Sequence, residues 1–265
     1  MPDLISREIQ LVSRPQRMPT AAKFALVETK LEPLKDEWVL VRNLYLSVDP
    51  YMRGRMNDRQ SYAPSFELGK AMDGGAVGNV AGQLAKLRGC EVIGSAGSPE
   101  KVEFLVKDCG FDVAFDYKHE PLIPKISLAI ASPWRIAERL HLAALNGIDV
   151  YFDNVGGEML EAALSALHVN GRIIVCGGSG YNMAMPQPEP SNLFDLTTKR
   201  LTMKGLVASD WLGHRAKFER EVGGYFRAGK LKNQQTVVVG IDKAVSAFLG
   251  LFTGKNIGRM VVKLE

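Results

Sequence analysis

A chain of 265 residues with 46% hydrophobic and 23% charged side chains has the make-up of a globular protein, which excludes disorder, collagen-like repeats and coiled coil. Its 33 basic and 29 acidic residues leave a net charge of +4, scattered without a run or stripe, so nucleic acid is a poor partner. Cys90, Cys109 and Cys176 lie far apart, as do His119, His141, His168 and His214, giving neither a disulfide framework nor metal-ligand spacing. The length suits one large α/β unit or two modest domains. Up to about residue 70, short apolar runs (Ile9–Val12, Phe24–Val27, Trp38–Val41) are separated by Pro, Asp and Lys turns, the rhythm of small antiparallel β structure. The run Glu37–Val48 is the clearest strand there, and Asp49-Pro50 ends it in a turn.

From residue 74 the period changes. Val80, Leu84 and Leu87 recur at helical spacing until Gly89, and Glu91–Ser95 reads as a short buried strand. Glu100–Lys107 is helical, Val113–Phe115 strand-like, Ile148–Asp153 a strand, Gly157–Leu167 a helix and Arg172–Cys176 a strand. A helix at Lys217–Ala228, a strand at Gln235–Val239, a helix near Ala244–Thr253 and a strand at Gly258–Leu264 complete the chain. Strands alternating with helices imply βαβ units, hence an α/β fold with a parallel sheet covered on both faces. No apolar run approaches the ~18 residues that a membrane span needs. The N-terminus has no apolar signal core, so a reducing cytoplasm is the expected setting.

The chemistry concentrates at Gly75-x-x-Gly78-x-x-x-Gly82, at the start of a helix. Glycines there allow a tight turn and let backbone N–H groups approach a pyrophosphate, although glycines in a plain helix-capping loop would look alike. The strand at Glu91–Ser95 that follows, and the further strand–helix pairs, favour the dinucleotide reading. An NAD site places an acid at the end of that second strand to hold the ribose hydroxyl. Here the place reads Gly94-Ser95-Ala96-Gly97-Ser98, with Lys101 close behind, which suits a 2′-phosphate and hence NADP. Lys101 can equally be a solvated surface lysine. Cys90, at a helix end, is expected to be a small buried residue.

Several stretches together resemble one family: Gly75-Ala-Val-Gly-Asn-Val-Ala-Gly-Gln83, Gly94-Ser-Ala-Gly-Ser-Pro-Glu-Lys101, Ile148-Asp-Val-Tyr-Phe-Asp-Asn-Val-Gly-Gly157, Lys255-Asn-Ile-Gly-Arg-Met260 and Asp49-Pro-Tyr-Met-Arg-Gly-Arg-Met56. It is the zinc-free, NADPH-dependent medium-chain reductases of the leukotriene B4 12-hydroxydehydrogenase, prostaglandin reductase and curcumin reductase type. The resemblance implies a Rossmann-type doubly wound parallel sheet beside a smaller, truncated, β-rich GroES-like domain. It implies NADPH-dependent reduction of the double bond of an α,β-unsaturated ketone or aldehyde. By motif, Gly75, Ala76, Val77 and Gly78 would cradle the pyrophosphate, and Lys101 and Tyr117 would contact the 2′-phosphate side. Asn154, Cys176, Gly177 and Tyr181 would line the cofactor, with Leu206 and Val207 beside the nicotinamide and Asn256 at the nicotinamide end.

Tyr51 and Tyr181 are the candidates for a hydrogen bond to the substrate carbonyl, where charge develops in the transition state. Tyr51 can also pack against its domain, Tyr181 can merely cover the cofactor, and Asn154 and Asn256 can be turn residues. The resemblance also implies a homodimer. The strands at Gly258–Leu264 and Gln235–Val239 are apolar enough to take part, or simply to be core. The implied organisation is a substrate domain at 1–73, a cofactor domain at 74–240 without a clear first strand, and a helix and strand at 241–265 returning to the substrate domain.

Two departures from the family stand out. At Met72-Asp73-Gly74-Gly75 a substrate-domain motif runs straight into the cofactor loop, where several tens of residues and the first, central strand of the sheet should intervene. Residues 118–146, interrupted by Pro121, Pro124 and Pro133, exceed a simple crossover and read as an insertion. Both departures leave open a non-catalytic variant with weak or no NADP binding.

Overall fold

The computed structural model describes residues 5–31, 40–73, 80–118, 134–178 and 189–264, and the chain divides into two compact units. The first is formed by the chain up to residue 77 together with residues 234–265, and the second by most of what lies between.

In the first unit, strands β1 (Ile5–Leu11) and β2 (Phe24–Lys30) pair antiparallel, from Ile5 opposite Lys30 to Leu11 opposite Phe24. A second sheet has the order β3 (Tyr45–Ser47), β10 (Arg259–Lys263), β9 (Gln235–Val239), with β10 antiparallel to β3 and parallel to β9. Helix α1 (Met52–Arg55) follows the turn at Asp49-Pro50, whose carbonyls accept from the N–H groups of Met52 and Arg53. Leu11, Met56, Phe66, Phe248 and Val262 are the centre of its core, with Met52 from α1 and Ala244 and Ala247 from helix α8 (Ala244–Phe252). The Phe248 ring meets Phe24 and Phe252 edge-on, at centroid distances of 6.1 and 5.2 Å. Met260, Val261 and Val262 are all buried, so the final strand serves as core.

The long strand expected over Glu37–Val48 shrinks to Tyr45–Ser47; residues 40–44 lie outside any strand, and 37–39 outside the described residues. The cause is the partner. β3 pairs with β10 only over Tyr45–Ser47, and the last hydrogen bond between the two segments is the Leu264 N–H donating to the Leu44 carbonyl. Leu40, Val41 and Leu44 are left exposed.

In the second unit, α2 (Val80–Leu87) ends ahead of Gly89, whose φ of +78° suits glycine and turns the chain out of the helix. Cys90 is therefore carried to the surface, not buried as expected. Strands β4 (Ile93–Ala96) and β5 (Val113–Asp116) pair in parallel across helix α3 (Pro99–Lys107). Strands β6 (Ile148–Asp153), β7 (Leu167–Val175) and β8 (Thr202–Gly205) form a second parallel sheet in that order. Helix α5 (Gly157–Ala166) crosses from β6 to β7 and places Leu160 and Leu164 on Leu167 and Ile173 in this sheet's core. Short helix α6 (Asp195–Thr198) adds Leu196, and α7 (Arg215–Arg227) follows β8.

Parallel strands with crossover helices are the α/β architecture expected, with one difference. In a doubly wound sheet of order 3-2-1-4-5-6, the pair β4–β5 fills places 2 and 3, and β6–β8 fill places 4 to 6. Among the described residues no strand fills place 1, so the sheet stands as two pieces. Part of the stretch expected to be an insertion forms a helix. Helix α4 (Trp134–Ala143) is a regular crossover packed on β5 and α5, while residues 119–133 lie outside the described residues.

At the amino ends of β6 and β7, His168 faces two acceptors. Its Nδ1 is 3.0 Å from Asp149 Oδ1, and its Nε2 meets the Asn146 carbonyl. Only the imidazolium can donate to both. The bond to Asp149, then that to Asn146, raise the His168 pKa, with Lys199 opposing. A raised folded-state pKa stabilises fully below the unfolded value of about 6.5 and is lost as pH climbs through the folded value. The melting temperature of wild type minus that of His168→Gln should therefore be largest at pH 5 and shrink toward pH 9. A pH-independent difference would overturn this.

Candidate active site at the strand carboxyl ends

Open α/β sheets bind ligands outside the carboxyl ends of their strands, because loops and helix N-termini converge there. In the second unit those ends collect several of the candidate residues. After β7, the N–H groups of Cys176 and Gly177 both donate to the Asp153 carbonyl, at 2.8 and 3.0 Å. After β8, the Leu206 N–H donates to the Val175 carbonyl at 2.8 Å. A Cβ on Gly177 would stand 3.3 Å from the Asn154 carbonyl oxygen and 3.5 Å from its Cα. Backbone contacts thus draw Asn154, Cys176, Gly177 and Leu206 together, with Val207 next in the chain.

The turn carrying Asn154 hangs from Asp153, which is 1% exposed. One carboxylate oxygen, Oδ1, accepts from the Tyr151 hydroxyl at 3.0 Å and from the Val155 and Gly156 N–H groups at 2.9 Å each. Gly156 and Gly157 follow with φ of +76° and +55°, conformations that glycine adopts without a Cβ clash. Burial first, and then Asp153, push the Tyr151 phenol pKa far up, so its proton stays in place as a donor. The Cys176 thiol is raised by burial, which removes it as a thiolate nucleophile at neutral pH.

The β4–β5 end has another chemistry. Tyr117 N–H donates to the Ala96 carbonyl at 2.9 Å, joining the strand ends, and the Tyr117 ring is about half-exposed. A Cβ on Gly97 would lie 3.1 Å from the Tyr117 hydroxyl and 3.0 Å from Cε of Lys118. Lys101, in the first turn of α3, has its pKa lowered by burial first and then by Lys118, with Glu100 opposing. No acid occupies Gly94–Ser98. Lys118 has no motif signature; its position after Tyr117 at a strand end was the available signal.

Beside Leu206 lies a cleft of about 450 Å³ lined by Ile174, Lys204, Gly205, Asp210, Trp211 and His214. The Trp211 and His214 rings stand 5.6 Å apart. Neither residue stands out in the sequence, since β8 is wholly exposed without an apolar face and the following turn carries no motif.

The remaining candidates lie in the first unit or outside the described residues. Tyr51 belongs to the first unit, where it is half-buried against the core and its carbonyl accepts from the Gly54 N–H. Asn256 is also in the first unit, in the turn before β10, where its Nδ2 donates to the Gly258 carbonyl at 2.6 Å. Gly75, Ala76, Val77, Gly78 and Tyr181 lie outside the described residues. Among the described residues no group of three or more His, Cys, Asp or Glu side chains is placed to hold a metal, and no helix is long and apolar enough to cross a membrane.

Two family models match the chain: an N-terminal domain of oxidoreductase over residues 7–89, and a zinc-binding dehydrogenase over residues 76–222. The NADPH-dependent curcumin reductase of Escherichia coli is 28% identical over 348 aligned positions, spanning 98% of this chain and 97% of the relative. An alignment that much longer than 265 residues means that the relative holds several tens of positions this chain lacks. The NADP(+)-dependent 2-alkenal reductase of Nicotiana tabacum is 42% identical over 72% of this chain, which covers 52% of that relative. The structure of CurA from Vibrio vulnificus in complex with NADPH matches with a TM-score of 0.85 at 29% identity, over 98% of this chain and 99% of that one. The chain belongs to the zinc-binding dehydrogenase family, among its medium-chain NADPH-dependent reductases of the curcumin and prostaglandin reductase type.

Proposed function

We propose that the protein binds NADPH and reduces the carbon–carbon double bond of α,β-unsaturated ketones or aldehydes. The observation that carries this reading is the carboxyl end of β4, where small residues and Lys101 stand in place of the acid that would hold a free ribose hydroxyl. The described residues fit such a cofactor: Gly177 lies against Asn154 where a larger residue would fill the space, and Gly97 leaves room for Tyr117 and Lys118. The chain's similarity to curcumin and 2-alkenal reductases supports the substrate class.

Lys101 and Tyr117 would hold the phosphorylated ribose. Asn154, Cys176 and Gly177 would line the cofactor, with Leu206 and Val207 against the nicotinamide, Gly75–Gly78 at the pyrophosphate and Asn256 at the nicotinamide end. When bound, the reduced nicotinamide supplies hydride to the β-carbon of the enone. Tyr51 and Tyr181 are the candidate donors to the substrate carbonyl oxygen, stabilising the charge that grows there. A small-molecule enone, a homodimer and a cytoplasmic setting complete the proposal.

A second reading has its own support. The described strands of the second unit form two sheets where the fold type has one, and a relative carries additional residues, which favours a cofactor binder without turnover. Mixing the purified protein with NADPH and a simple enone, and following the nicotinamide absorbance, separates the two. Steady loss of absorbance sinks the binder; no loss alongside an NADPH-induced rise in melting temperature sinks the enzyme.

A further inference from the structure

The loop after β5 holds a lysine that, among the described residues, makes no ion pair through its ammonium. The Lys118 N–H donates to Asp116 Oδ1 at 2.8 Å, so a local turn fixes where its side chain departs. That side chain lies over Gly97: a Cβ there would be 3.0 Å from Lys118 Cε and 3.2 Å from its Cδ. Its Nζ stands 5.9 Å from the centroid of the Tyr117 ring. Among the described residues its ammonium has no carboxylate partner, and it sits near enough to Lys101 to disfavour that residue's charge. Lys118 adds a like charge near Lys101, whose charge Glu100 supports in part, and the residue that leaves room for the Lys118 side chain is a glycine.

We propose that Lys118, held beside Gly97 and Tyr117, is a second cation for the cofactor's 2′-phosphate in addition to Lys101, and that it sets the preference for NADPH over NADH. The inference rests on the cofactor reading above and adds to it a specificity-determining residue. A lysine is a compact point charge with three donors, suited to a phosphate oxygen that a neighbouring lysine also contacts.

The test is equilibrium binding of NADPH and of NADH, each followed by cofactor fluorescence, to wild type, Lys118→Ala, Lys118→Glu and Lys118→Arg. Lys118 is exposed, so these variants should fold, and their thermal unfolding checks it. Wild type is expected to prefer NADPH. Lys118→Ala should weaken NADPH at least about tenfold, as loss of one charge-assisted hydrogen bond does, with NADH affinity unchanged. Lys118→Glu should weaken NADPH further, and Lys118→Arg should keep most of the preference. A wild type that prefers NADPH, with Ala and Glu variants that keep the same preference, overturns the role of Lys118 alone. Equal losses for both cofactors mark a structural role and overturn it too. A wild type that does not discriminate overturns the cofactor reading and this inference together.

Discussion

Asp153→Ala is expected to lower unfolding stability by about 3 kcal/mol, since it strands buried donors that shared one carboxylate oxygen. Tyr151, Val155 and Gly156 all direct hydrogen to Oδ1 of a side chain that is 1% exposed. Alanine removes every acceptor at once, and a small apolar side chain gives the two backbone N–H groups nothing in exchange. Asp153→Asn keeps a carbonyl oxygen at the same position and should cost about 1 kcal/mol or less by the same reasoning. Because the bonds hold the turn that sets Asn154 against Gly177, the alanine variant should also lose NADPH affinity, while the asparagine variant should keep both. Urea unfolding and cofactor titration on the two variants check this. An asparagine variant that is stable but does not bind would instead place the Asp153 charge on the ligand.

How far the sequence carried depends on what each segment packs against. Strand β9 runs over Gln235–Val239 as its composition indicates, and α2, α5 and β6 follow their periodicity, because local pattern and tertiary partner agree there. β8 escapes because all four of its residues are exposed, leaving no apolar alternation to read. The run before Tyr45 misleads in the opposite sense: Leu40, Val41 and Leu44 have strand composition, but the register with β10 covers only Tyr45–Ser47 and a strand needs a partner. At the candidate site, the motifs led to Asn154, Gly177 and Leu206, which backbone bonds do gather. Lys118 and the Trp211–His214 pair were invisible, since a lone lysine or an exposed tryptophan means something only once its neighbours are known.

Gly82 joins these levels and gives the second large effect. By spacing it is the last glycine of the phosphate-loop pattern, but its surroundings assign it to packing. A Cβ at this position would lie 2.2 Å from Cζ of Phe111, and one at Gly94 would lie 2.7 Å from Cδ2 of the same ring. The ring is clasped between α2 and β4, the close helix-to-strand approach that a third glycine permits in dinucleotide folds. Two effects compete in Gly82→Ala. Alanine gains at most about 1 kcal/mol of helix propensity at Gly82, in the first turn of α2, whereas overpacking a close contact costs about 1–3 kcal/mol. The ring cannot withdraw toward Gly94, because that side is already within van der Waals distance, so overpacking wins. A net loss of stability is expected for Gly82→Ala, and a larger one for Gly82→Val. Adding Phe111→Leu to Gly82→Ala removes the obstructing ring atoms and should recover part of the loss, a positive coupling in the double-mutant cycle. If Gly82→Ala proves as stable as wild type while NADPH affinity collapses, this glycine answers to the cofactor and not to Phe111.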